Sequence, residues 1–243
     1  MTKRIAVCGK GGVGKTTVIC GILNYLLEKQ LTPILVVDAD PNSNLAENLG
    51  VKYEITIADI REEIRNSEIP SYTSKADYIN MRLQEAISEQ NGFDLIVMGR
   101  PEGKECYCFV NELLRTFLSN LSKNYKYVLI DTEAGMEHFS RRTTDNIDVL
   151  IIITTPTKTS IQTVKKILEM LPKLKLKILS TKILLNFKDT TKNETDINID
   201  GYIHTDNKIY QYSELGIPLL NNLNHTQFYN ELKQFLNTII LNN

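Results

Sequence analysis

Several things are scarce in this chain. It has no tryptophan, three histidines and four cysteines in 243 residues. Cysteines that sparse exclude a secreted disulfide scaffold. Charge of one sign is also missing, since 28 basic residues meet 29 acidic ones and leave a formal net charge of -1. No global field then draws the chain to nucleic acid or to an anionic membrane, and either function would need a local patch. Long apolar runs are absent too. The strongest, Val149 to Ile153, is far short of the ~20 residues that span a bilayer. After the basic start Met1-Thr2-Lys3-Arg4, the run Ile5 to Cys8 is only four residues, against the roughly 7–15 of a signal h-region. These features predict a cytoplasmic protein with neither nucleic acid nor membrane as partner.

What is present is ordinary globular composition, with 42% apolar and 23% charged residues. A chain of this length buries roughly 70–75% of its unfolded surface, so it needs no disulfide or metal to fold. No repeat or linker divides it, and residues 1–243 read as one domain. Arg4–Cys8, Pro33–Val37, Phe93–Met98, Tyr127–Ile130, Val149–Thr154 and Ile178–Leu185 read as strands. Lys15–Lys29, Asn111–Leu121, Ser160–Leu171 and Gln227–Leu241 read as helices. Ile57, Ile60, Ile64 and Ile69 suggest a further helix, and Met81–Ser88 another; Lys188–Asp200 is polar and reads as a surface loop. Strands without in/out alternation suit a mostly parallel α/β sheet with helices on both faces.

The first strand runs into Gly9-Lys10-Gly11-Gly12-Val13-Gly14-Lys15-Thr16-Thr17 and then a helix. This satisfies G-x-x-x-x-G-K-[ST] in the required strand–loop–helix context. Glycines let successive backbone N–H groups, here from Gly11, Gly12, Val13, Gly14, Lys15, Thr16 and Thr17, converge on phosphate oxygens. The helix N-terminus adds favourable partial positive charge. Lys15 is placed to reach β/γ-phosphates, and the Thr16 hydroxyl to hold Mg²⁺. The second strand ends in Asp38-Ala39-Asp40-Pro41, two carboxylates at the ligand-binding edge of an open sheet. One can orient water and the other reach Mg²⁺ through water; capping the next loop is the bland alternative. Tyr127–Ile130 runs into Asp131-Thr132-Glu133-Ala134-Gly135, a hydrophobic strand ending in an aspartate that would hold Mg²⁺ indirectly, with Gly135 letting the loop move.

The form K-G-G-V-G-K-T resembles the deviant P-loop of the ATPase family that includes the MinD and ParA partition proteins and the nitrogenase iron protein. That resemblance implies that Lys10 reaches ATP bound by a partner subunit, so that ATP closes a homodimer. It also makes Asp38-x-Asp40-Pro41 the first switch, with Asp40 positioning the attacking water and Asp38 beside the Mg²⁺. Asp131 to Gly135 matches the second switch. Asn186 matches the family's strand-end asparagine that reads the adenine edge. Two positions depart from the pattern: Phe187 stands where a lysine often follows, and His204 where a proline is common.

Cys8 and Cys20 read as small core hydrophobes. Cys106-Tyr107-Cys108 is different, because Arg100, Lys104 and a following helix N-terminus favour thiolates. A metal site is the preferred reading, with redox exchange or no role as alternatives. Two thiolates cannot close a four-coordinate site, but one pair from each subunit of a two-fold dimer can. Tetrahedral geometry suits Zn²⁺ and square-planar geometry suits Ni²⁺.

Glu105 to Arg115 resembles the C-Y-C segment of the CooC-type ATPases, accessory proteins that insert nickel into carbon monoxide dehydrogenase. Ala134 to Arg141 resembles their A-G-x-E-H segment. Its His138 reads as structural or switch-coupling, with an extra metal ligand as the alternative, because one histidine without a carboxylate or cysteine at ligand spacing is a weak metal signal. The resemblance implies an ATP-hydrolysing nickel metallochaperone that serves carbon monoxide dehydrogenase or acetyl-CoA synthase. Two other classes share the nucleotide residues. One is a positional ATPase like MinD or ParA. The other is an iron–sulfur reductase component, disfavoured because Asp131–Arg142 contains no cysteine.

Overall fold

The computed structural model describes residues 2–66, 69, 73–100, 116–132, 146–174, 176–188 and 195–240. Eight strands form one sheet: β1 (Lys3–Gly9), β2 (Ile34–Ala39), β3 (Ile87–Glu89), β4 (Phe93–Val97), β5 (Tyr127–Thr132), β6 (Asn146–Thr154), β7 (Lys177–Lys188) and β8 (Gly201–His204). The helices are α1 (Lys15–Glu28), α2 (Asn44–Leu49), α3 (Ile57–Arg65), α4 (Lys75–Glu85), α5 (helical at residues 116–122), α6 (Lys158–Met170), α7 (Asn207–Glu214) and α8 (Gln227–Ile240). The strand order is β3-β4-β2-β5-β1-β6-β7-β8. Every pairing is parallel except the short β3, which runs antiparallel to β4 along Ile87↔Ile96 and Glu89↔Asp94.

The two sheet faces have separate apolar layers, which is why the strands read as unbroken apolar runs. On one face Ile5, Val7, Val36 and Leu129 meet α1, α2 and α8. On the other, Ala6, Cys8, Leu35 and Ile130 meet α3, α4, α5 and α6. Cys20 lies in the first layer and Cys8 in the second. Both are free, buried thiols, and burial pushes Cys8 up to about 12. The core reading of both therefore holds, and neither is a reactive thiolate.

Three differences from the sequence reading have local causes. The expected helix Met81–Ser88 is instead α4, which starts at Lys75 because the Ser74 hydroxyl accepts the Asp77 N–H. Its expected last turn is absorbed into β3. Second, the helix expected through Ile57, Ile60 and Ile64 is α3, started by a reciprocal capping box of Thr56 and Asp59, but it ends at Arg65 and leaves Ile69 outside. Third, α2, β8 and α7 had no visible sequence signal. They are short, and no residue of α7 is buried. No helix among the described residues is long and apolar enough to cross a membrane.

Candidate nucleotide site

Parallel register brings the phosphate loop and the carboxylates to one edge. β1 lies between β5 and β6. Val7, two residues before the loop opens at Gly9, pairs with Asp131, and Asp131 pairs on its other side with Asp38. The Thr132 hydroxyl donates to the Val7 carbonyl at 2.8 Å, tying the two strands at this point. The sheet therefore delivers Gly9, Asp131 and Asp38 side by side at its carboxyl edge, as a switch-point ligand site requires.

Within the loop, Gly14 precedes α1 in a left-handed conformation, φ 93. A Cβ there would stand 2.5 Å from Asn186 Nδ2, so neither space nor backbone admits a side chain. No acidic residue occupies the first turn of α1. Its free N–H groups and dipole thus face a phosphate without competition. Lys15 is buried at the start of that helix. Lys10 is exposed, and its Nζ donates to Thr159 Oγ1 at 3.1 Å, at the start of α6.

The carboxylates differ in their partners. Thr16 Oγ1 donates to Asp131 Oδ2 at 2.8 Å. The other oxygen, Oδ1, is buried without a hydrogen-bond partner. Burial raises the Asp131 carboxyl to about 6, against the Thr16 hydrogen bond and the Lys15 charge, which both lower it. Asp38 is fully buried. Its Oδ1 accepts the Asp40 N–H at 3.2 Å and its Oδ2 accepts the Leu45 N–H at 3.1 Å. Burial, and then the Asp131 charge, raise it to about 7. Asp38 thus also holds the loop between β2 and α2. Asp40 lies at the cavity wall, and its Oδ1 accepts from both the backbone and the side-chain nitrogens of Asn42. An orphaned buried oxygen beside a threonine hydroxyl fits a small divalent cation such as Mg²⁺.

A cavity of about 600 Å³ joins the P-loop, from Gly11 to Thr17, to Asp40 and to α7. Asn186 is 2% exposed and sits beneath this loop. Its Nδ2 donates to the Val13 carbonyl at 2.9 Å, and its Oδ1 accepts the Phe187 N–H at 3.0 Å. The side chain thus supports the loop, and its amide keeps a second N–H and a second oxygen lone pair. His204 lies at the end of β8, where its ring Nδ1 is 2.8 Å from Glu231 Oε1. It anchors α8. Cys106, Cys108, Gly135 and His138 lie outside the described residues. Sequence reasoning missed Tyr210, which lines the cavity opposite Phe187.

A family model described as an AAA domain matches residues 2–185. The chain belongs to that family of P-loop ATPases. Several relatives resemble this AAA-domain ATPase. An uncharacterized ATP-binding protein of Methanocaldococcus jannaschii is 42% identical over 248 residues, covering 97% of this chain and 98% of that protein. The carbon monoxide dehydrogenase accessory protein CooC of Rhodospirillum rubrum is 37% identical over 177 residues, covering 68% of this chain and 67% of that protein. Among solved structures, MinD of Pyrococcus horikoshii complexed with Mg-ADP superposes with a TM-score of 0.69 at 21% identity, covering 99% of this chain and 96% of that one. A plasmid partition protein of Borrelia burgdorferi bound to AMPPNP gives a TM-score of 0.70 at 20% identity and covers all of both chains. The AAA-domain ATPase therefore has the single-domain, mostly parallel fold of the MinD and ParA proteins.

Proposed function

We propose that this ATPase is a nickel metallochaperone, which binds ATP and Mg²⁺, closes into a homodimer, and delivers nickel to carbon monoxide dehydrogenase or acetyl-CoA synthase. The observation that carries the delivery role is Cys106-Tyr107-Cys108 in a chain 37% identical to the accessory protein CooC. Paired across a two-fold axis, the two C-x-C segments give four thiolates, a donor set suited to Ni²⁺ or Zn²⁺ as cargo.

The nucleotide chemistry follows from the site. Loop N–H groups and Lys15 bind the β- and γ-phosphates, and Gly14 lets α1 begin against them. Thr16 and Asp131 would hold Mg²⁺, with Asp38 alongside; when bound, the ion neutralises charge on the phosphate oxygens. Asp40 orients the attacking water. Lys10, exposed and reaching Thr159, is free to turn to the nucleotide of a partner protomer and neutralise transition-state charge there. Hydrolysis then reopens the dimer and releases the cargo.

The test is anaerobic nickel titration with Mg-ATP, comparing the wild type with the Cys106→Ser/Cys108→Ser double variant. The expected wild-type stoichiometry is one nickel per dimer, lost in the variant with ATP binding retained. Unchanged stoichiometry in the variant would remove the metal assignment. ATP-dependent binding to liposomes or DNA without nickel binding would favour a positional ATPase instead.

A further inference from the structure

β7 has twelve residues and β8 only four. β8 pairs with β7 from Leu184 onward. Just before that point the Asp200 N–H reaches the Ile183 carbonyl at 2.9 Å. Among the described residues, 177–182 therefore has β6 as its one strand neighbour. The amino half of β7 is an open sheet edge, at the opposite end of the sheet from the phosphate loop.

A cavity of about 430 Å³ lies beside this half-strand, with Lys177 and Leu179 of β7 in its wall. The β6–β7 pairing runs Ile147↔Ile178 and then Val149↔Ser180, passing over Asp148 and Leu179. Asp148 turns instead to β1, where its Oδ2 accepts the Arg4 N–H at 2.6 Å. Leu179 is left 63% exposed. The charged residues of the cavity wall are Arg4, Lys123 and Lys177 against the single carboxylate of Asp148. Arg4 Nη2 donates to Ser122 Oγ at 3.2 Å and Lys123 Nζ to Asn120 Oδ1 at 2.9 Å. Both partners are neutral, so the positive charge is not cancelled. Lys182, farther along β7, is paired with Asp200 at 3.0 Å.

These features select the occupant. An open edge takes an extended chain through main-chain hydrogen bonds, while alternate side chains give specificity. Excess positive charge in the wall favours acidic side chains. The exposed Leu179 favours an apolar one among them. A second copy of the same edge would set lysine against lysine, which is unfavourable in cross-strand pairs.

We propose that residues 177–182 receive an acidic, extended segment of a partner protein as an added strand. Its carboxylates meet Arg4, Lys123 and Lys177, and its apolar side chain covers Leu179. This surface is separate from the nucleotide site and does not rest on the delivery role proposed above.

The test is fluorescence anisotropy of the full chain with a short labelled peptide of alternating valine and glutamate. The comparison probes are a valine–lysine peptide, the N-methylated valine–glutamate peptide and a single-stranded oligonucleotide. Binding is expected for the unmethylated acidic peptide alone. Lys123→Glu/Lys177→Glu should weaken it at least about tenfold and admit the lysine peptide, because the field of the cavity is reversed. Leu179→Ser should weaken it roughly fivefold or more through lost apolar contact. Mg-ATP affinity should be unchanged in both variants, which reports an intact fold. Failure of the acidic peptide to bind, or equal affinity in the double variant, would overturn the proposal. Equal binding of the N-methylated peptide would show charge attraction without strand addition and would also overturn it. So would an oligonucleotide that binds wild type and is lost in the double variant while the acidic peptide does not bind.

Discussion

Asp38 gives the site a measurable cost in stability. Its carboxyl is buried beside Asp131 and titrates at about 7, against an ordinary value of 3.8. A tenfold change in proton affinity corresponds to about 1.4 kcal/mol. Holding Asp38 ionised therefore costs the fold about 4 kcal/mol. The sign follows from proton uptake. Below about pH 4 the group is protonated in both folded and unfolded chains, and it contributes nothing. Between about pH 4 and 7 the unfolded chain has lost the proton and the folded one keeps it, so stability falls as pH rises. Above 7 the full cost applies. Asp38→Asn removes the charge but gives up one acceptor for the Asp40 or Leu45 N–H, which costs about 1–3 kcal/mol for an unsatisfied buried donor. The net expectation at pH 8 is a gain of about 1–3 kcal/mol, or roughly 2–12 °C in Tm for a chain of this size. Near pH 4 the sign reverses and the variant is the less stable protein. Thermal melts of both proteins at pH 4.5, 6 and 8, without nucleotide or Mg²⁺, check this, with ATP hydrolysis expected to be lost in the variant. A variant no more stable than wild type at pH 8, or a difference that does not change with pH, would refute the reasoning.

Other outcomes follow from the same geometry. Lys10→Ala should keep Mg-ATP affinity within a few-fold but lose dimerisation and at least about tenfold in hydrolysis, toward the ~10³ effect of a cation supplied in trans; sizing by light scattering alongside a phosphate-release assay reads both. Thr16→Val and Asp131→Asn should each raise the Mg²⁺ concentration needed for half-maximal hydrolysis by about tenfold or more, because each removes a group placed for the ion; a Mg²⁺ titration reads the shift. Gly14→Ala should weaken ATP binding at least about tenfold and lower Tm by several degrees, at about 1–3 kcal/mol for a strained left-handed residue. Adding Asn186→Ala relieves the 2.5 Å approach, so the two changes should be non-additive in a denaturation cycle.

The elements that sequence reading placed well are those with repeated apolar signals. β1, β2, β5 and β6 are buried on both faces, and α1, α6 and α8 carry long apolar stripes against the sheet. β3 has three residues and β8 four, too few for any period to emerge. The Ser74-x-x-Asp77 cap was present in the sequence and would have moved α4 to its true start. The phosphate loop was legible because glycine spacing alone dictates its backbone. Asn186 was recognised at the right strand end, yet its contact with Val13 links positions 173 residues apart, which no local pattern reports.

Phe187 and Tyr210 show the same limit from the other side. They are 23 residues apart in the chain, and β7 and β8 lie side by side before α7 turns back over the cavity. Phe187 alone reads as a departure from a lysine; Tyr210 alone reads as one aromatic on a short helix with no buried residue. Only the sheet edge makes them a pair. The phosphate loop is therefore written locally, in consecutive residues, and the aromatic pair is written in topology. A sequence motif search on this fold thus identifies the phosphate loop but is blind to the aromatic pair on the cavity wall.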